Sequence, residues 1–111
     1  MNTLSWSDFT KVEMRVGTII SAEIFKEAKK PALKLHIDFG ELGIKKTSAQ
    51  ITALYNSTNV IGKQIIAVVN FPPKQIANIM SECLVLGAVE DNNNVTLLAT
   101  DKKVPNGTKI G

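Results

Sequence analysis

Few residues in this chain offer chemistry beyond charge. His36 is the one histidine and Cys83 the one cysteine among 111 residues. General acid–base catalysis draws on a histidine or on carboxylates that converge in a cleft. Strand alternation instead sets His36 on a polar face beside Lys34, a rim position. Cys83 lies in an apolar run with Met80, Leu84 and Val85, where a thiol packs as a small hydrophobe rather than acting as a nucleophile. No Gly-rich phosphate loop, no Gly-x-Ser-x-Gly elbow and no His-Glu-x-x-His stretch occurs. A lone cysteine rules out an internal disulfide, and a four-ligand zinc site would need His36 and carboxylates at unsuitable spacings. No catalytic residue, metal or cofactor is expected.

Charge is the chemistry that remains. Lys and Arg total 13 against 10 Asp and Glu, a net charge of +3, which is mild. Its distribution is more informative. Arg15 is the sole arginine, and the lysines come in groups: Lys26, Lys29, Lys30 and Lys34, then Lys45 and Lys46, then Lys102 and Lys103. Lysine meets phosphate as a point charge and lacks the fork that reads bases. Any nucleic-acid partner would therefore be gripped by backbone and shape. Aromatic residues are scarce, and Trp6, Phe9, Phe39 and Phe71 fall at expected core or lid positions, so no base-stacking platform is evident. A folded RNA fits this pattern better than a single strand. The single cysteine and the absence of a leader-like or membrane-length apolar stretch lead us to expect a cytoplasmic protein without membrane insertion.

The elements that must position these lysines read as strands. Ser5, Ser7 and Asp8 offer caps for one helical turn around Trp6 and Phe9. Val12, Met14, Val16, Thr18, Ile20 and Ala22 then alternate with Glu13, Arg15, Gly17, Ile19, Ser21 and Glu23, a long half-buried strand with an expected bulge or bend at Gly17. A lysine-rich loop ends at Pro31. Leu33, Leu35, Ile37 and Phe39 form the inward row of a second strand, with Lys34, His36 and Asp38 outward. Gly40–Gly43 reads as a hairpin connection. A third strand runs from Ile44 to Ile51, with Thr47, Ala49 and Ile51 inward and Lys46, Ser48 and Gln50 outward. A short helix is expected within Ile51–Asn59, ended by Gly62. Residues 65–69 form a central strand apolar on both faces, broken by Asn70-Phe71-Pro72-Pro73. Leu84–Val89, Val95–Leu98 and Thr108–Ile110 complete the set, with turns at Asp91–Asn94 and Pro105–Gly107.

Short strands, turn signals, no internal repeat and a helix after the third strand predict an all-β protein: a five-stranded OB-fold barrel with a short helix and short N- and C-terminal extensions. Residues 1–111 make one such domain. OB barrels bind on the face of strands two and three, between the loops joining strands one to two and four to five. That rule selects Lys29 and Lys30 in the first loop, and Lys34 and His36 on strand two. It adds Lys46, Ser48 and Gln50 on strand three, and Asn70, Lys74, Gln75 and Ser81 in or beside the second loop. Lys45 points toward the interior or its rim. An apolar set, Trp6, Phe9, Phe71, Pro72, Pro73, Ile76 and Ile79, needs cover, which predicts a homodimer contact or a peptide surface.

These residues also carry a resemblance. Asp8-Phe9 followed by Val12–Ile19 (VEMRVGTI) resembles the opening of the tRNA-binding OB domain appended to methionyl- and phenylalanyl-tRNA synthetases. Lys30-Pro31-Ala32, Ile37–Gly43 (IDFGELG), Ser48–Thr52 (SAQIT), Val69–Ala77 (VNFPPKQIA), Ser81-Glu82 and Val104–Ile110 (VPNGTKI) resemble the bacterial CsaA family. The resemblance covers nearly the whole chain. It implies a homodimeric, cytoplasmic OB fold that binds tRNA, with a proposed chaperone role in protein secretion. It also implies a basic surface continuous across the two subunits, with apolar pockets near the dimer contact as candidate sites for unfolded preproteins. One departure stands out: the wider family's second loop often carries Arg-Gly before the serine, whereas Ile79-Met80 precede Ser81 here. RNA binding and export chaperoning both remain open readings.

Overall fold

The structure, a computed structural model, describes residues 1–111. A five-residue helix, α1 (Trp6–Thr10), starts the chain, and the Ser5 hydroxyl caps it by accepting from the Asp8 N–H at 3.0 Å. Ten strands follow: β1 (Met14–Ile24), β2 (Leu33–Asp38), β3 (Ile44–Ala49), β4 (Gln64–Val68), β5 (Lys74–Ile76), β6 (Ile79–Ser81), β7 (Leu84–Val85), β8 (Gly87–Val89), β9 (Val95–Leu97) and β10 (Lys109–Ile110). The main sheet runs β3-β2-β1-β4-β7, all antiparallel, and β10 adds to β1. β5–β6 and β8–β9 are separate hairpins. This strand order, nearly closed on itself, is an OB-type barrel.

β2 shows why the barrel has an inside. Leu33, Leu35 and Ile37 are buried on one face, while Lys34, His36 and Asp38 take the other. With Ile19, Phe39, Ile51, Val60, Ile65, Ala67 and Cys83 they form the core. β1 departs from simple alternation. Its core face carries Gly17 and Ile19, not Val16, Thr18 and Ile20. A Cβ on Gly17 would lie 2.6 Å from Ile37 Cγ2 and 2.7 Å from the Phe39 ring, so glycine is required by close packing there. The register shift falls between Ile19 and Ser21, which makes Ile20 the bulge residue and turns it outward. Val16 is buried apart from the core cluster, its N–H and C=O bonded to Thr108 and Gly107 of the C-terminal segment.

The expected helix within 51–59 does not form. One helical bond, Tyr55 N–H to Ile51 C=O at 3.1 Å, is followed by turns. The Asn56 Oδ1 accepts from the N–H groups of Thr58 and Asn59, and Asn59 Oδ1 accepts from Asn56 N–H. Asparagine side chains that bond nearby backbone compete with the helix and win here. The apolar run at 84–89 is likewise split at Leu86, whose N–H bonds Ile66 before the chain turns into the β8–β9 hairpin.

Candidate nucleic-acid interface

Cross-strand register gathers the predicted polar residues of β2 and β3 on one face. Ser21, His36 and Lys46 lie side by side across β1, β2 and β3, as do Glu23, Lys34 and Ser48. Within this face the residues differ in what they have to offer. Lys34 Nζ lies 3.2 Å from Glu23 and 4.0 Å from Glu27, and 5.3 Å from the centre of the Phe25 ring, so its charge is largely met within the chain. His36 Nδ1 pairs with the Ser21 hydroxyl at 2.9 Å. Lys46 is exposed and joins no ion pair, whereas Lys45 is half-buried as alternation requires.

The first loop is held open by its own ends. Phe25 and Ala32 are buried, and Phe25 N–H bonds Ala32 C=O at 3.0 Å, which pins the loop base and leaves Lys26, Lys29 and Lys30 exposed and without an acidic partner. Because Ile24 pairs with Leu33 and Leu33 with Ala49, this loop opens at the end of the sheet where β3 finishes. Arg15 is not available to a partner. Its guanidinium bonds Glu13 at 2.6 Å and the Gly107 carbonyl at 3.0 Å, and the hydrogen bond to Glu13 holds that carboxyl below its usual range.

No ladder joins β3 to β7, so the barrel closes through a seam. Lys46 N–H donates to the Glu82 carboxylate at 3.0 Å, and Glu82 N–H returns to the Lys46 carbonyl at 2.9 Å. Thr47, a buried polar residue, donates its hydroxyl to the Cys83 carbonyl at 2.7 Å and meets the Ser81 hydroxyl at 2.8 Å. Past Thr47 the two edges enclose a cleft of about 970 Å³. The two predicted sets meet there: Ser48, Gln50, Lys74, Gln75 and Ser81 line it together with Phe71, Pro72, Pro73 and Ile76. Lys74 is the one charged residue in the lining, and Phe71 and Leu84 are 56% and 49% exposed. Cys83 is buried at its floor, and that burial pushes the thiol up to about 11.

Other predicted residues have structural attachments. Asn70 accepts from Glu13 N–H at 3.0 Å and donates to the Lys11 carbonyl at 2.6 Å, tying the segment after α1 to the end of β4. Ser81 is committed to Thr47. Trp6 and Phe9 pack on each other with ring centres 5.6 Å apart, and with Ile79 they lie outside the cleft lining. Thr47 and Glu82 were not among the predicted site residues. The signal for Thr47 was present: a hydroxyl in an inward apolar row must find a partner.

Such a barrel sets lysines beside a half-apolar cleft, and no group of three or more His, Cys, Asp or Glu side chains is placed to hold a metal ion. Residues 14–109 match the putative tRNA binding domain. The chain is 53% identical to the chaperone CsaA of Bacillus anthracis str. Ames, with a TM-score of 0.95 over 99% of this chain and 100% of that one. It is equally 53% identical to the CsaA chaperone protein of Picrophilus torridus, with a TM-score of 0.91 over 98% of this chain and 100% of that one. The methionine–tRNA ligase of Methanococcoides burtonii is 35% identical over 107 residues, and that match spans 96% of this chain but 16% of the ligase. The chain belongs to the tRNA-binding domain family, in the branch that contains CsaA.

Proposed function

We propose that this chain is a non-catalytic RNA-binding module that holds tRNA, or another RNA of similar fold, by its backbone. The observation that carries this reading is the set of unpaired lysines, Lys29, Lys30 and Lys46, standing beside a cleft whose lining holds Lys74 and no carboxylate. Lysine without an aromatic platform favours phosphate contact over base reading. Ser48, Gln50 and Gln75 would add hydrogen bonds to sugar and phosphate. The family's tRNA-binding description supports the partner. Fluorescence anisotropy of labelled tRNA across a salt series tests the reading. Affinity must fall steeply and linearly in logarithmic coordinates as salt rises, and binding that ignores salt would refute it.

A second reading, binding of unfolded preproteins, is favoured by one feature: Phe71, Ile76, Leu84 and Val85 give the same cleft an apolar wall. Apolar binding holds or strengthens with salting-out ions, so the same salt series on an unfolded preprotein separates the two. We also propose a two-fold dimer that covers Trp6, which is 76% exposed, and its neighbours. Sedimentation showing only monomer at micromolar concentration would refute it.

A further inference from the structure

A second, smaller pocket of about 400 Å³ lies between Tyr55, Gly62–Gln64, Leu97, Ala99, Thr100 and Lys103. It sits where β4 begins, while the cleft is lined by the segment that follows that strand, and the two spaces come nearest along β9, where Val95 lines the cleft and Leu97 this pocket. Its two lysines come from distant segments, and both are fixed by backbone bonds. Gly62, at φ +85°, turns the chain so that its N–H reaches the Ile19 carbonyl at 2.8 Å while the Lys63 carbonyl accepts from Ile19 N–H at 2.9 Å. On the other wall, Gln64 clamps Val104 by both its N–H and C=O, at 3.2 and 2.6 Å, which anchors Lys103.

The side-chain polar groups left over in this pocket are donors. Tyr55 Oη accepts from Leu97 N–H at 3.0 Å, and its own proton has no acceptor in the chain. Lys63 and Lys103 are exposed and join no ion pair. The Thr100 hydroxyl is spent on the Lys102 carbonyl at 2.6 Å, and the Gln64 amide on Val104 and Asn106. No carboxylate lines the space. Two ammonium groups and a phenolic proton around an acid-free hollow suit a tetrahedral anion.

We infer that Lys63, Lys103 and the Tyr55 hydroxyl form a phosphate site, separate from the cleft, that takes a backbone phosphodiester of the bound RNA. The inference rests on the RNA-binding reading and extends it: the RNA is held at a second point beyond the cleft. The test compares the wild type with K63Q/K103Q and with K11Q/K109Q, which removes the same charge elsewhere, by tRNA anisotropy across salt. Losing the contact to that one phosphate lowers the salt slope by about 0.7 to 0.9 and the affinity at 0.1 M by about 5- to 8-fold. K11Q/K109Q should keep the wild-type slope. A wild-type slope in K63Q/K103Q overturns this inference alone, provided the wild type binds. A wild type that ignores tRNA overturns the RNA reading with it. Equal reductions in both double variants would reduce the effect to net charge and overturn the site. Saturable binding of inorganic phosphate that K63Q/K103Q abolishes, with tRNA binding unaltered, would overturn the inference by assigning the pocket to a small free anion.

Discussion

Replacing Thr47 with valine keeps the shape of a fully buried side chain and removes one hydroxyl. That hydroxyl donates to the Cys83 carbonyl and accepts from Ser81 across the seam where no strand ladder exists. The variant gives up one hydrogen bond to a buried carbonyl and leaves the partners with a poorer alternative: Ser81 reaches that carbonyl only at 3.3 Å. A net bond is worth about 0.5–1.5 kcal/mol and a buried group left short of a partner about 1–3 kcal/mol, so about 2 kcal/mol is expected. In a chain of this size that corresponds to a fall in melting temperature of roughly 8 °C. Because valine fills the same volume, no cavity contributes. Differential scanning calorimetry reads the shift. Amide exchange localises it, since the Glu82 N–H bonded to Lys46 should exchange faster while amides of β1 and β2 keep their order. Thr47→Ser, which retains the hydroxyl, should leave the Glu82 amide protected. A valine variant melting within about 2 °C of the wild type, with Glu82 exchange unaltered, would refute the seam as the closure of the barrel.

Lys29→Ala with Lys30→Ala should leave the fold intact and reduce the tRNA salt slope by about 0.7 to 0.9 for each phosphate no longer neutralised; an unchanged slope would remove the first loop from the interface. Lys46→Ala should weaken tRNA binding more than Lys34→Ala, because Glu23 and Glu27 already occupy the Lys34 charge; the reverse order in anisotropy would show that the Glu23–Lys34 pair opens for RNA. Cys83 should resist iodoacetamide at pH 8 in the folded protein and react on unfolding, since the folded thiol titrates near 11 against an ordinary 9.0. The raised value means that the folded state holds its proton longer: this contribution to stability is whole below pH 9 and fades as pH climbs toward 11, which urea melts between pH 8 and 11 would detect.

Alternation alone determined β2. A row of Leu33, Leu35 and Ile37 against Lys34, His36 and Asp38 has one stable orientation, because a slip of one residue would bury three polar side chains. The same logic made Lys46 outward and Lys45 half-hidden, and the caps at Ser5 and the turn at Pro105–Gly107 follow from local hydrogen bonding and φ preferences. β1 was not legible in this way. Its periodicity favours the row of Met14, Val16, Thr18, Ile20 and Ala22 over that of Arg15, Gly17, Ser21 and Glu23, yet the choice of Gly17 and Ile19 for the interior depends on Phe39 needing the space a side chain would fill. Residues 51–59 have weak helical spacing, but their asparagines bond the backbone first. The interface was partly legible: residue type and loop order placed lysines near one face, yet whether each lysine is free depends on neighbours brought from elsewhere. Glu23 and Glu27 quench Lys34, while the segments that could pair with Lys63 and Lys103 carry no acid into their pocket. Sequence records which charges exist and how often they recur. Only folding decides which of them meet an opposite charge within a few ångströms, and Coulomb attraction falls with that distance.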